Sequence, residues 1–236
     1  LGSKRLPSKP LLEINNIPLI IHTYKRAKMS KLLDEVIICC DDQKIINVAK
    51  RFNAKVILTS KKNKNGTERI YEAYKQLKKK YDFIVDIQGD EPLINPIHID
   101  KVIEFHKKNK LVDIILPHLK VSRGDNTNIV KLLTDINNNV IYLSRSKLPL
   151  EFKSNNKNYK KHLSIISFLP KALKKFNLVN RTSLEKSEDI ELLRALEIGL
   201  KIKTIALRGD SFSVDIFNDY KKAIEKFKQD KISKNY

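Results

Sequence analysis

The chain has 236 residues, 41% of them hydrophobic, and a formal net charge of +20; that length is enough to bury a large core within one α/β domain. No stretch reaches the roughly eighteen apolar residues of a membrane span, and the basic opening residues lack the apolar run of a secretion signal, so a cytoplasmic protein with no membrane contact is expected. The charge suggests nucleic-acid binding, but the lysines are spread along nearly the whole chain, and neither an aromatic-interleaved RNA motif nor a zinc-finger spacing accompanies them. Runs such as Lys78-Lys79-Lys80 read as solvated helix faces, and no nucleic-acid partner is expected.

Residues 1–10 form a Gly/Ser/Pro-punctuated stretch carrying Lys4, Arg5 and Lys9. Its composition suits a loop that wraps a polyphosphate with backbone N–H groups and cations, or a basic terminus without fixed structure. Such a loop normally follows a strand, so a first strand is expected upstream of Leu1. Pro18 opens an amphipathic helix to about Met29, with Leu19, Ile20, Tyr24 and Ala27 on one side. EVIICC reads as a buried strand in which Cys39 and Cys40 serve as small hydrophobes rather than as a disulfide or metal pair. Asp41 and Asp42 begin a helix reaching Phe52, residues 55–58 form a short strand, and the polar loop 60–66 leads to a helix from Glu68 to about Lys79 that Thr67 can cap.

FIVDIQGDEPLI, residues 83–94, changes chemistry midway. FIVDI is a buried strand; Gln88, Gly89, Asp90 and Glu91 stand at its carboxyl end, and Pro92 forbids further pairing. That edge is where open α/β sheets bind ligands, and a glycine beside a carboxylate lets backbone and substrate approach a shared metal ion. An ordinary turn with a solvated acid is the plainer alternative. A helix from Pro96 to about Asn109 and a strand in VDIILPHL follow.

NIVKLLTD and VIYLSR flank the turn residues 136–139 as a hairpin. Residues 151–161 are a lysine- and asparagine-rich loop, and KHLSIISFL is one further strand. Pro170 starts a short helix, and Thr182 with Glu185 forms a capping box for a long helix ending near Gly199. KIKTIAL is a strand, SFSVDIF carries Asp215 after a short apolar run, and Asp219 precedes a final amphipathic helix. Strand alternating with helix at this spacing predicts an α/β fold, a doubly wound and mostly parallel sheet. It forms one domain over 1–236, with a small hairpin and loop region at about 120–170 and neither internal repeat nor linker.

GSKRLPSKPL, NGTERI, DIQGDEPLI, YLSRSKLP, KHLSIISF, SLEKSEDIELLRALEIG and SVDIFNDY stand in the order and at about the spacing of the bacterial 3-deoxy-manno-octulosonate (Kdo) cytidylyltransferases, the CMP-Kdo synthetases, which the chain resembles over essentially its whole length. The resemblance implies a nucleotide-diphospho-sugar-transferase-like fold. It also implies an enzyme in which the anomeric hydroxyl of an acidic keto-sugar attacks the α-phosphate of CTP, giving CMP-sugar and pyrophosphate for lipopolysaccharide or capsule synthesis. It implies that Ser3, Arg5 and Lys9 hold the triphosphate, that Gly66 and Thr67 line the nucleotide pocket, and that Gln88 sits beside substrate. Asp90 and Asp215 bind magnesium by the same resemblance, so their carboxylate oxygens should converge to within about 6–7 Å. Arg5, Lys9, Asp90 and Asp215 are then the catalytic set. For the sugar acid it points to Arg145, His162 and Glu191; read alone, these could be a strand-end pair, a satisfied core histidine and a solvated helix carboxylate. It further implies a homodimer. Two positions depart from the pattern: Leu192 stands where an amide is common and Ile166 where a tyrosine is, which predicts a less polar sugar pocket and a better fit for an 8-amino octulosonate or a nonulosonate.

Overall fold

The computed structural model describes residues 5–150, 152–153 and 158–236. Its opening is built by asparagine turns and apolar anchors. A 3₁₀ turn at Lys9–Leu11 leads to two antiparallel strands, β1 (Glu13–Ile14) and β2 (Ile17–Pro18), joined through Asn15 and Asn16 at φ 52° and 60°, a left-handed conformation that asparagine tolerates. Helix α1 (Leu19–Ala27) buries Leu19, Ile21, Tyr24 and Ala27, a helical spacing. Strand β3 (Ile38–Cys40), helix α2 (Gln43–Arg51) and strand β4 (Val56–Leu58) form a parallel βαβ unit, with Asp42 capping α2 by accepting from the Lys44 N–H at 2.7 Å. Cys40 is buried in β3 and Cys39 half-buried.

Helix α3 (Gly66–Gln76) starts earlier than expected. Its cap is Asn65, whose side-chain oxygen accepts from the Glu68 N–H at 2.9 Å, while Thr67 is fully buried within the first turn. Strand β5 (Ile84–Ile87) and helix α4 (Pro96–Lys108) follow.

The VDIILPHL stretch yields two strands, not one: β6 (Ile114–Ile115) and β7 (His118–Val121), which enter different sheets because Pro117 has no N–H to continue a ladder. Strands β8 (Lys131–Thr134) and β9 (Val140–Ser144) make the expected hairpin, closed by Asp135, whose carboxylate accepts from the N–H groups of Asn137 and Asn139 at 2.8 Å each. KHLSIISFL is likewise divided. Strand β10 (Tyr159–His162) pairs with β7 and β8, and β11 (Ile165–Phe168) pairs with β6. Strand β10 begins inside the lysine-rich stretch expected as loop, because Tyr159 is buried and packs on Gly124, where an added Cβ would come within 2.5 Å of its ring.

Helix α5 (Pro170–Asn177) opens on proline as anticipated. The single long helix expected after it is two, α6 (Ser183–Glu188) and α7 (Glu191–Glu197), broken at Asp189 with φ 52°. Glu185 does not form a capping box. It is 1% exposed and turns inward to bond Arg194 at 2.6 and 2.8 Å, because a carboxylate that deep requires a cationic partner. Strand β12 (Ile202–Lys203), helix α8 (Phe217–Gln229) and a last 3₁₀ turn at Ser233–Asn235 follow.

The α/β class holds, and the strand pairs are mixed. Strands β3–β4 and β6–β12 are parallel, β6–β11 antiparallel, and the sheet ordered β7-β10-β8-β9 is antiparallel at each of its three pairings. The chain forms two compact units, each gathered from separated segments. The first comprises Leu1–Lys78, Ile87–Lys101 and Ser211–Tyr236, the second Lys79–Asp86 and Val102–Asp210. Among the described residues no helix is long and apolar enough to cross a membrane.

Candidate active site

In the first unit, apolar anchors deliver polar neighbours. Leu6, Leu19, Val214, Ala223 and Phe227 share one core cluster, with Leu93 packed against it. Leu6 lies three residues before Lys9, and Val214 immediately before Asp215, so burying the two hydrophobes brings their charged followers to one place. The Val214 N–H also donates to the Asp90 carbonyl at 2.9 Å, tying both aspartate segments together. Gly89 packs closely on α1: a Cβ there would lie 2.4 Å from Ile20 Cδ1, so the end of that side chain would have to move aside. Asp219, in the first turn of α8, accepts from the N–H groups of Asp215 and Ile216 at 3.2 Å each and so fixes the Asp215 backbone.

The expected convergence is present. Lys9 Nζ donates to Asp90 Oδ2 at 2.7 Å and to Asp215 Oδ1 at 3.2 Å. Those two oxygens are therefore no more than about 6 Å apart, the sum of the two distances. Arg5 adds a longer contact to Asp215 at 3.4 Å. The Lys9 side chain is 12% exposed, against 23% for Asp90 and 30% for Asp215, so the cluster is only partly screened by water. Asp90 Oδ1 is buried and has no hydrogen-bond partner among the described residues. Two hard carboxylates within reach of one cation, one with an oxygen left over, fit magnesium, which takes one or two protein carboxylates and completes its shell with substrate oxygens and water. Among the described residues no group of three or more His, Cys, Asp and Glu side chains offers an all-protein cage. Glu91, the second acid of QGDEP, is a separate matter: it is buried and accepts from Ser211 Oγ at 3.3 Å.

The other first-unit candidates are placed as follows. Ser3 lies outside the described residues. Gln88 directly follows β5, and its carbonyl accepts from the Glu91 N–H at 3.2 Å, closing the turn that presents Asp90. Gly66 and Thr67 open α3, Gly66 exposed and Thr67 buried. Sequence reasoning passed over Arg69 of the same NGTER motif, which donates to Thr59 Oγ1 and to Asp41 at 2.8 Å each and so clamps the ends of β4 and β3. Its signal was an arginine within one helical turn of the motif and an aspartate immediately after a buried strand.

Arg145, His162 and Glu191 all belong to the second unit. Arg145 follows β9, where its Nε donates to the Glu188 carbonyl at 2.9 Å, one terminal nitrogen to the Asp189 carbonyl at 3.2 Å and the other to the Thr127 carbonyl at 3.3 Å. The acid that holds its segment is Glu188, which accepts from the Arg145 N–H at 2.9 Å and Ser144 Oγ at 2.5 Å. Glu191 opens α7. Lys131, fully buried, donates to the carbonyls of Asn126 at 3.0 Å, Ile129 at 2.8 Å and Arg145, and burial pushes its pKa down. Neither Lys131 nor Glu188 was marked by sequence, because each looks like an ordinary surface charge. His162 ends β10; burial, then the charges of Lys161 and Arg145, push its pKa to about 4, so its ring is neutral at pH 7. Its Nδ1 is buried and unpartnered among the described residues. Ile166 and Leu192, expected to line a sugar pocket, are 1% and 2% exposed. They are core residues and offer a ligand no surface.

The model of the cytidylyltransferase family matches residues 1–202. The 3-deoxy-manno-octulosonate cytidylyltransferase of Thermodesulfovibrio yellowstonii is 39% identical, with 92% of this chain and 91% of that protein covered. An 8-amino-3,8-dideoxy-manno-octulosonate cytidylyltransferase of Shewanella baltica is 34% identical over 97% of this chain and 96% of its own length. The solved structure of a CMP:2-keto-3-deoxy-manno-octonic acid synthetase complexed with CTP superposes with a TM-score of 0.90 at 26% identity, over 97% of this chain and 95% of that one. With its paired aspartates at one lysine and these relatives along nearly its full length, the chain belongs to the 3-deoxy-manno-octulosonate cytidylyltransferase family of nucleotidyltransferases.

Proposed function

We propose that this protein couples CTP to Kdo, forming CMP-Kdo and pyrophosphate. The observation that carries the reading is the Lys9–Asp90–Asp215 cluster with its spare Asp90 oxygen. Ser3, Arg5 and Lys9 hold the triphosphate, and the two cations neutralise charge on it and on its pyrophosphate leaving group. Asp90 and Asp215 are the residues that would hold magnesium, which when bound supplies Lewis-acid stabilisation of phosphate charge and lowers the pKa of the sugar hydroxyl. Gly66, Thr67 and Gln88 bind the nucleotide. Among the described residues Arg145 gives three of its five N–H donors to carbonyls, and it offers the other two to the sugar carboxylate. Neutral His162 hydrogen-bonds a sugar oxygen, and Glu191 meets a hydroxyl. The enzyme acts as a cytoplasmic homodimer in lipopolysaccharide synthesis, without a nucleic-acid partner.

The Shewanella baltica relative supports a second sugar, the 8-amino analogue, for the same chemistry. Pyrophosphate release from Mg–CTP, compared across Kdo, its 8-amino analogue and a nonulosonate, separates the candidates. Kdo is expected to give the highest kcat/KM, since this chain's apolar departures from the family pattern, Ile166 and Leu192, lie in the core. Release with none of these sugars would falsify the reading. Nanomolar binding of duplex DNA at physiological salt, without stabilisation by Mg–CTP, would instead favour a nucleic-acid function.

A further inference from the structure

Lys9 touches both carboxylates that the proposed function assigns to magnesium. Its ammonium stands 2.7 Å from Asp90 Oδ2 and 3.2 Å from Asp215 Oδ1, on a side chain only 12% exposed. Arg5 adds its charge 3.4 Å from Asp215. Two negative charges are thus already balanced by two positive ones from the chain itself, and a free divalent ion approaching Asp90 and Asp215 meets a neutralised pair and a nearby like charge. An ion pair at these distances, partly withdrawn from solvent, is worth far more than one in open water. The spare Asp90 Oδ1 by itself provides a single ligand.

We propose that Lys9 is an internal counter-cation that keeps Asp90 and Asp215 from taking up a free divalent ion, and that a nucleoside triphosphate releases the pair by drawing the ammonium onto its phosphates. Metal then enters with the nucleotide and not ahead of it. Lysine suits this exchange because its ammonium is a single charge on a flexible four-carbon stem, able to move between carboxylate and phosphate partners. The inference rests on the reading of Asp90 and Asp215 as the metal carboxylates, and it predicts reciprocal coupling: whatever weakens the hold of Lys9 on the aspartates tightens metal binding in the absence of nucleotide.

The test is a titration of the nucleotide-free protein with Mn²⁺, followed by electron paramagnetic resonance, with circular dichroism confirming the fold of each variant. Wild type and Lys9→Arg, which keeps the positive charge, should bind Mn²⁺ weakly. Lys9→Met should bind it at least about tenfold more tightly, and Lys9→Gln serves in its place if the methionine variant does not fold. Lys9→Met/Asp90→Asn should return to weak binding. If Lys9→Met binds Mn²⁺ no more tightly than wild type, while Asp90→Asn still lowers Mn²⁺ retention in the presence of CTP, the counter-cation role is overturned and the metal assignment survives. If the double variant binds as tightly as Lys9→Met, the ion sits elsewhere and both fall.

Discussion

The Lys9 cluster of the first unit and the Arg145 cluster of the second use the same side-chain types to opposite ends. Around Arg145, cations meet backbone carbonyls: buried Lys131 reaches three, and half-buried Arg145 another three. Glu188 is used on both oxygens, by Ser144 Oγ and the Arg145 N–H. Around Lys9 the partners are carboxylates, and Asp90 retains a buried oxygen without one among the described residues. A network whose acceptors are backbone groups can hold one geometry only, whereas side-chain carboxylates can exchange one cation for another. The contrast teaches that burial of charge marks rigidity in one unit and replaceable charge in the other.

Breaking the rigid side gives the largest expected effect. Glu185→Ala leaves Arg194, 1% exposed, without its bidentate partner, and breaking a buried pair on one side costs about 3–5 kcal/mol. Urea unfolding should show that loss, and a change under about 1 kcal/mol would mean the pair is not buried in solution. On the replaceable side, Asp90→Asn should lower kcat about 10²–10³-fold, about 3–4 kcal/mol of transition-state stabilisation, with the thermal midpoint nearly unchanged. An equally large loss of stability would move Asp90 into the rigid class.

The histidines sharpen the comparison. His162 and His118, both in the second unit, are held near pKa 4, chiefly by burial and then by neighbouring cations: Lys161 and Arg145 for the first, Lys160 and Lys120 for the second. Their folded pKa lies below the unfolded value of about 6.5. Their contribution is therefore fully present above pH 6.5 and is lost as pH falls toward 4. Between pH 7 and 5 each should cost about 2 kcal/mol, read as a falling thermal midpoint, and His162→Gln should flatten part of that fall. A profile unchanged by the substitution would exclude His162 as its source. The smallest effect is local: Asn65→Ala removes the cap of α3 and should cost about 1 kcal/mol, whereas Thr67→Ser, inside the first turn, should leave the cap intact.

What the sequence by itself determined is local chemistry. Hydrophobic periodicity placed α1, α2, the βαβ unit and the β8–β9 hairpin, because burying one face of a helix or strand needs only the spacing of neighbouring residues. It also placed Asp90 and Asp215 after apolar runs, and their convergence on Lys9 follows from burying Leu6 and Val214 in one core. Tertiary structure decided the rest. Periodicity cannot say to which sheet a strand is hydrogen-bonded, so β6 and β7, and β10 and β11, each looked like one strand. The two compact units are assembled from interleaved segments and leave no linker to be read. The left-handed turn at Asp189 split the expected long helix, Glu185 turned inward to Arg194, and the positions of Ile166 and Leu192 in the core removed them from any pocket. Those outcomes depend on which charges are desolvated together and which side chains lose their water, and such facts arise only when distant segments meet.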